Sequence, residues 1–210
     1  MSRRVMIVEF ICPKKRITNW RGPVASLGFA ALLAGCSSTG GAPVPTHSSS
    51  GLFLCEGISI ANAPPADRQG RITGVSSSAR VKGMTLLRFP ATGCLSSAFG
   101  PRRGGAGRVH EGIDIYTRTP AAFVASADGT VTFVGKRRGY GTTLEIDHGK
   151  GVLSRYAHLS RVDGSIKSGK QVVQGQRLGL TGRTGNATAV HLHYEILVNG
   201  KAKNVLKLPN

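Results

Sequence analysis

The sequence predicts an all-β fold: a hairpin-rich antiparallel sandwich or barrel behind an extended N-terminal tether. Three observations carry this. Short β-like runs fill the second half, with Gly, Asp, Asn and Lys turns between them. Alternation of apolar and polar residues is clear in L-E-I-D-H and in H-L-H-Y-E-I-L-V, the mark of strands with one face in a core. No long heptad pattern appears, and among 210 residues there are 29 glycines and few aromatics, a composition that favours turns over helices.

The N-terminus reads as an address. Residues 1–35 carry Arg3, Arg4, Lys14, Lys15, Arg16 and Arg21 against Glu9 alone. An apolar run from Val24 to Ala34 follows, too short to span a bilayer stably, and L-L-A-G-C ends at Cys36. That order is a secretory signal, expected over residues 1–35. The small residues before Cys36 resemble a bacterial lipoprotein box, which implies cleavage there and acylation of Cys36; the alternative is an ordinary signal peptide with a fortuitous cysteine. Several acyl chains would anchor stably, at about 0.8 kcal/mol per buried methylene. The lead before the apolar run is long for a signal, so the expected start lies downstream of Met1. Ser37 and Ser38 follow the cysteine without an aspartate, which in a lipoprotein implies the outer membrane.

Residues 36–85 are expected to form a lipid-anchored tether and N-terminal segment. Ser37 to Ser50 is rich in Ser, Gly, Pro and Thr and reads as a flexible linker, with His47 solvated in it. Cys55 and Cys94 remain as an even pair in an exported chain. They read as a disulfide pinning residues 51–60 to the body, the alternative being two free buried thiols. Residues 61–80 read as connection.

The body is expected over residues 86–206. Val81 to Phe89 reads as a first strand. Further strands are expected at His110–Tyr116, Gly129–Val134, Thr142–Asp147, Val152–His158, Gln176–Thr181 and His191–Val198. Asp128-Gly129, Gly139-Tyr140-Gly141, Gly149-Lys150-Gly151 and Asn199-Gly200 supply the turns.

The net charge of +18 divides into +5 before residue 36 and +13 after it. A basic body suits an anionic partner, a membrane surface or an acidic polymer. No basic stripe interleaved with aromatics and no DNA-binding motif is visible, so nucleic acid is not the expected partner.

Five side chains carry the chemistry: His110 and Asp114 in H-E-G-I-D, His158 in R-Y-A-H-L, and His191 and His193 in H-L-H. A catalytic zinc needs three N/O ligands, an open position and a proton-transfer group nearby. On a strand, His191 and His193 project from one face while Leu192 and Tyr194 enter the core and Glu195 joins the histidines. His110 and Asp114 would lie about 13 Å apart on a straight strand, so sharing an ion demands a bend, which Gly112 permits. His158 ends an alternating run and could reach the same face.

In this order these motifs resemble the M23 (LytM/lysostaphin-type) zinc endopeptidases of the bacterial cell wall. A-F-G-P-R-R precedes the first histidine, A-D-G-T-V follows the aspartate, and G-Y-G-T-T-L-E-I-D-H-G and V-V-Q-G-Q-R-L-G-L-T-G-R-T-G lead to the later motifs. The resemblance covers about residues 90–205 and implies a LytM-like antiparallel β-sandwich built on a duplicated hybrid motif. Carried onto this chain, it implies one zinc ion on His110, Asp114 and His193, with His158 and His191 as the catalytic pair. One of that pair would take a proton from the zinc-bound water and the other would stabilise the oxyanion or protonate the leaving amine. Which does which stays open. Thr188-Ala189-Val190 stands where T-G-P is usual, a change in the groove wall.

The substrate implied is the peptide cross-link of peptidoglycan, D-Ala–diaminopimelate bonds for a monomeric enzyme anchored in the periplasm. Some members of the family have lost zinc ligands and activate cell-wall amidases; the complete ligand set makes that the second expectation. A lipoyl-type binding module lacks these histidines. Glu145 and Glu195 are candidate partners for imidazole N–H groups, and His148 reads as a turn histidine.

Overall fold

The computed structural model describes residues 52–102 and 109–210; the readings placed on Cys36, on His47 and on the signal and linker lie outside them. In chain order the strands are β1 (Phe53–Leu54), β2 (Ser78–Val81), β3 (Met84–Leu87), β4 (Cys94–Ser97), β5 (Gly100–Pro101), β6 (Val109–His110), β7 (Ile113–Tyr116) and β8 (Ala122–Val124). There follow β9 (Gly129–Arg137), β10 (Gly141–Asp147), β11 (Val152–Ala157), β12 (Arg161–Val162), β13 (Gln171–Val172), β14 (Arg177–Leu180), β15 (His191–Val198) and β16 (Lys201–Lys203). A 3-10 turn, Val205–Lys207, ends the series.

The main sheet runs β1-β4-β7-β15-β11-β10-β9-β13, with β16 on β15, and β12-β14-β8 forms a second, three-stranded sheet. Pairing is antiparallel except for β1 on β4. The all-β, antiparallel expectation is what the chain does. Leu95, Ile115, Phe123, Leu144, Tyr156, Leu178 and Tyr194 fill the core, all fully buried, and the Tyr156 ring lies against both Phe123 and Tyr194.

Several elements differ from expectation for local reasons. Val81–Phe89 is not one strand. Lys82 and Gly83 both take positive φ, 48° and 81°, and turn the chain into the β2–β3 hairpin. Two residues of positive φ are what a type I′ turn requires. Asn199-Gly200 does the same (φ 51° and 73°) and adds β16, a strand the alternation did not reveal.

The expected body boundary at residue 86 is not a structural border. Leu52, Ile72 and Val81 belong to the same hydrophobic core as the later strands. Leu54 N donates to the Gly70 carbonyl at 2.8 Å and Ile72 N to the Leu52 carbonyl at 2.9 Å. A disulfide joins Cys55 to Cys94 on β4, with the Cα atoms 5.0 Å apart. The far boundary at 206 moves too. The buried Arg88 guanidinium donates to the carbonyls of Leu208 (2.7 Å) and Pro209 (3.0 Å) and to Asn210 Oδ1 (2.9 Å), so the last residues are tied into the fold.

Candidate metal centre

Asp114 on β7 and His193 on β15 are direct cross-strand partners, the closest approach two side chains on one sheet face can have. His110 reaches them because the strand breaks: β6 ends at His110 and β7 begins at Ile113. Gly112 makes the break possible. A Cβ there would strike the Tyr194 carbonyl oxygen and would lie 2.9 Å from Glu195 Cγ and 3.0 Å from His193 Cε1. Only glycine lets the backbone pass so close to β15.

The three donor atoms converge. His110 Nε2 lies 3.2 Å from Asp114 Oδ1 and 3.1 Å from His193 Nδ1, and His193 Nδ1 lies 2.9 Å from Asp114 Oδ1. Ligands at about 2.1 Å from a tetrahedral zinc stand roughly 3.4 Å from one another, so a small expansion of this triangle accommodates an ion. All three side chains are buried.

The ring tautomers suit the same purpose. His110 Nδ1 faces the Ala98 carbonyl at 2.8 Å; a carbonyl only accepts, so the proton sits on Nδ1 and the Nε2 lone pair faces the centre. His193 is held the other way round. Its Nε2–H donates to Glu195 Oε1 at 2.8 Å, leaving Nδ1 for the centre. Such outer partners fix ring orientation and ligand basicity. The donor set of two imidazoles and a carboxylate fits zinc with one position left open.

The electrostatics favour a cation at this point. Burial opposes the charged form of Asp114, but the imidazoles of His110 and His193 against its Oδ1 outweigh it and hold its carboxyl well below the usual range. Burial likewise opposes a charged His193, yet the bonds to Asp114 and Glu195 prevail and push it up to about 9. Two buried carboxylates thus attract a positive charge between them, whether a proton or a metal ion.

His158 and His191 flank the trio, with ring centroids 4.8 Å apart. His158 follows the end of β11 in the left-handed region at φ 60°, a conformation seldom taken by residues other than glycine, asparagine, aspartate and histidine. Its amide donates to the Tyr140 carbonyl at 2.8 Å. Its Nδ1–H donates to the Thr184 carbonyl at 2.8 Å, and His191 Nδ1–H donates to Ala189 at 2.9 Å. In its neutral form each ring therefore presents Nε2 as the acceptor. Burial first, then the neighbouring imidazoles, push the His158 pKa down to about 4. His191 Nε2 stands 3.7 Å from Asp114 Oδ1.

Of the two candidate outer carboxylates, Glu195 supports an imidazole and Glu145 does not. Glu145 instead pairs with Arg155 Nε (2.6 Å) and Arg137 Nη2 (2.9 Å), and Arg155 Nη1 reaches Glu195 Oε2 at 2.7 Å. Glu145, Arg155 and Glu195 occupy one rung across β10, β11 and β15, a register that a single sequence does not display. Tyr140 donates to Glu195 Oε1 at 2.9 Å. Sequence reasoning missed Arg155, Tyr140 and Arg102, whose Nη2 lies 3.3 Å from Asp114 Oδ2. His148 lies apart from the centre, in contact with the Asp128 carbonyl (2.7 Å) and Ser154 Oγ (2.8 Å), which agrees with its reading as a turn histidine.

Residues 108–205 match the profile of peptidase family M23. The chain is 40% identical over 100 residues to the DD-carboxypeptidase/endopeptidase Mpg of Neisseria meningitidis serogroup B, covering 46% of this chain and 22% of that protein. It is 38% identical over 117 residues to the peptidoglycan DD-endopeptidase ShyA of Vibrio cholerae, covering 54% and 27%. It is also 35% identical over 133 residues to the murein hydrolase activator NlpD of Salmonella dublin, covering 63% and 33%. Among solved structures, a zinc-containing peptidase from Vibrio cholerae superposes with a TM-score of 0.56 at 30% identity, over 66% of this chain and 49% of that one. The chain thus spans about a quarter to a third of the length of these curated relatives.

Proposed function

From a chain whose residues 108–205 form a peptidase family M23 domain, we propose a zinc-dependent endopeptidase that hydrolyses peptide cross-links of bacterial peptidoglycan. The observation that carries this reading is the convergence of the complete set of groups at one place. His110 Nε2, Asp114 Oδ1 and His193 Nδ1 share one small triangle, and His158 and His191 stand beside it.

Zinc bound there supplies Lewis acidity for a scissile carbonyl and an acidified water. The chain's own residues do the rest. Ala98 and Glu195 hold the ligand rings in the metal-binding tautomer. The bare Nε2 of His158 or His191 accepts the proton released at the centre, and the same imidazole, once charged, returns it to the departing amine. The low pKa of His158 keeps that ring neutral at neutral pH.

The similarity to ShyA supports peptidoglycan as substrate, and the D-Ala–diaminopimelate bond is the cross-link proposed. The proposed setting is the periplasm, with residues 1–35 removed, residues 37–50 as tether and Cys36 acylated at the outer membrane, the protein acting as a monomer. The test incubates the form beginning after Cys36, zinc-loaded, with cross-linked cell wall and identifies released muropeptides by mass spectrometry. Uncross-linked products are expected, and none from His193→Ala. Release by His193→Ala at the wild-type rate would refute the ligand assignment.

The likeness to NlpD supports a second reading, a non-hydrolytic activator of cell-wall amidases. It predicts that the chain alone releases nothing and that His193→Ala still stimulates an added amidase.

A further inference from the structure

A hollow of about 790 Å³ opens beside Asp114 and His191. One wall is not part of the catalytic sheet. It is the strap of residues 56–62, which contributes Ile58 and Ile60 to a lining that also includes Thr188. The strap is fastened at both ends. Cys55 ties its start to Cys94 on β4, and Asn62 Nδ2 donates to the Pro101 carbonyl at 2.9 Å at its end. A second hollow, about 820 Å³, lies on the other side of Asn62 and contains none of the metal-facing side chains.

Two side chains of the first hollow are about half exposed. Ile58 is 49% exposed, one of three large hydrophobic side chains left so among the described residues. Arg102 is the one cation among the described residues lining the hollow, and its side chain is 51% exposed. Its Nη2 meets Asp114 Oδ2, the oxygen turned away from the ligand triangle. A guanidinium carries five N–H donors in a flat fork that matches a carboxylate. The contact to Asp114 engages one of those donors, on a side chain that lines the hollow and is half exposed.

We infer that this hollow is a substrate subsite in which Arg102 binds a free carboxylate of the peptide while Ile58 covers its aliphatic part. The inference rests on the proposed peptide substrate and names what the cleft selects in it: an acidic peptide rather than a neutral one. The strap makes the subsite, so selectivity depends on residues that precede the family-matched segment.

The test uses two forms of one cross-linked peptide, with the carboxylate free or converted to the carboxamide. Both are given to the zinc-loaded full chain as wild type and as Arg102→Gln, and their binding to the zinc-free proteins is measured by calorimetry. A charge-assisted hydrogen bond at a half-exposed site gives about a tenfold preference. The wild type is expected to show KM about tenfold lower for the carboxylate peptide, with similar kcat. Arg102→Gln is expected to raise that KM to the carboxamide value, and Kd to move in parallel. Equal KM and Kd for the two peptides in the wild type overturn the inference, as does a preference that survives in Arg102→Gln. A fall in kcat of the same size on both peptides overturns it too, because Arg102 would then act only through Asp114. If neither peptide is cleaved, the hydrolase reading fails on its own, and the Kd ratio still decides the subsite.

Discussion

His193 and Glu195 sit two residues apart on one strand, and the 2.8 Å bond between Nε2 and Oε1 determines which nitrogen of His193 faces the metal centre. Glu195 is fully buried, so the bond is not shared with water. Removing the carboxylate frees the ring to flip or to change tautomer. Glu195→Ala is expected to weaken zinc binding about 10- to 100-fold, read by competition against a chromophoric chelator. Unchanged affinity would show that packing alone holds the ring.

Arg155 is the cation that makes a buried Glu195 tolerable, and it also holds Glu145. A buried ion pair broken on one side leaves an uncompensated charge, which costs about 3–5 kcal/mol. Arg155 keeps some exposure, which puts Arg155→Met near the lower figure. Denaturant titration of the zinc-free protein measures this, and a loss under about 1 kcal/mol would contradict the rung's role. Zinc affinity should fall as well, because Glu195 loses the partner that orients it.

The disulfide between Cys55 and Cys94 encloses 39 residues of sequence separation. Cross-linking a loop of that size stabilises by about 3–4 kcal/mol through the unfolded chain. Cys55→Ser combined with Cys94→Ser should lose that amount in equilibrium unfolding, and the wild type under reducing agent should match the double variant. Equal midpoints with and without reductant would contradict a closed bridge.

His148 supplies a pH dependence away from the metal centre. Burial lowers its pKa from 6.5, against weaker opposing contributions from the Asp128 carbonyl and nearby carboxylates. The unfolded chain therefore takes up a proton first as pH falls. The stability His148 contributes is present above about 6.5 and diminishes below it. Melting temperatures of wild type and His148→Gln, both zinc-free, should differ most above pH 7 and converge towards pH 5. A gap that stays constant or widens in acid would contradict this.

Much of the centre is legible in the sequence because metal-binding side chains cannot be replaced by others of like size. The H-x-H spacing puts both histidines on one face, and the span from His110 to Asp114 demands a bend at Gly112 if the two are to share an ion. What stays hidden depends on register. Nothing in the order of residues says that Glu145, Arg155 and Glu195 share a rung, so the sequence offers Glu145 to an imidazole it never meets. The β2–β3 hairpin reads as one strand because Lys82 is an unusual residue at positive φ. Residues 61–80 read as connection from composition, and only the Cys55–Cys94 bridge is expected to pin residues 51–60 to the body. Their attachment comes from long-range bonds such as Ile72 N to Leu52 and from the bridge to Cys94.

The pairing of Asp114 with His193 has a consequence for when the donor triangle forms. A mispairing of β7 and β15 by a single residue would set Leu192 or Tyr194 opposite Asp114 and turn the imidazoles into the core. The candidate ligand triangle therefore forms only once the sheet has assembled in register, and a chain still threading its strands together lacks it.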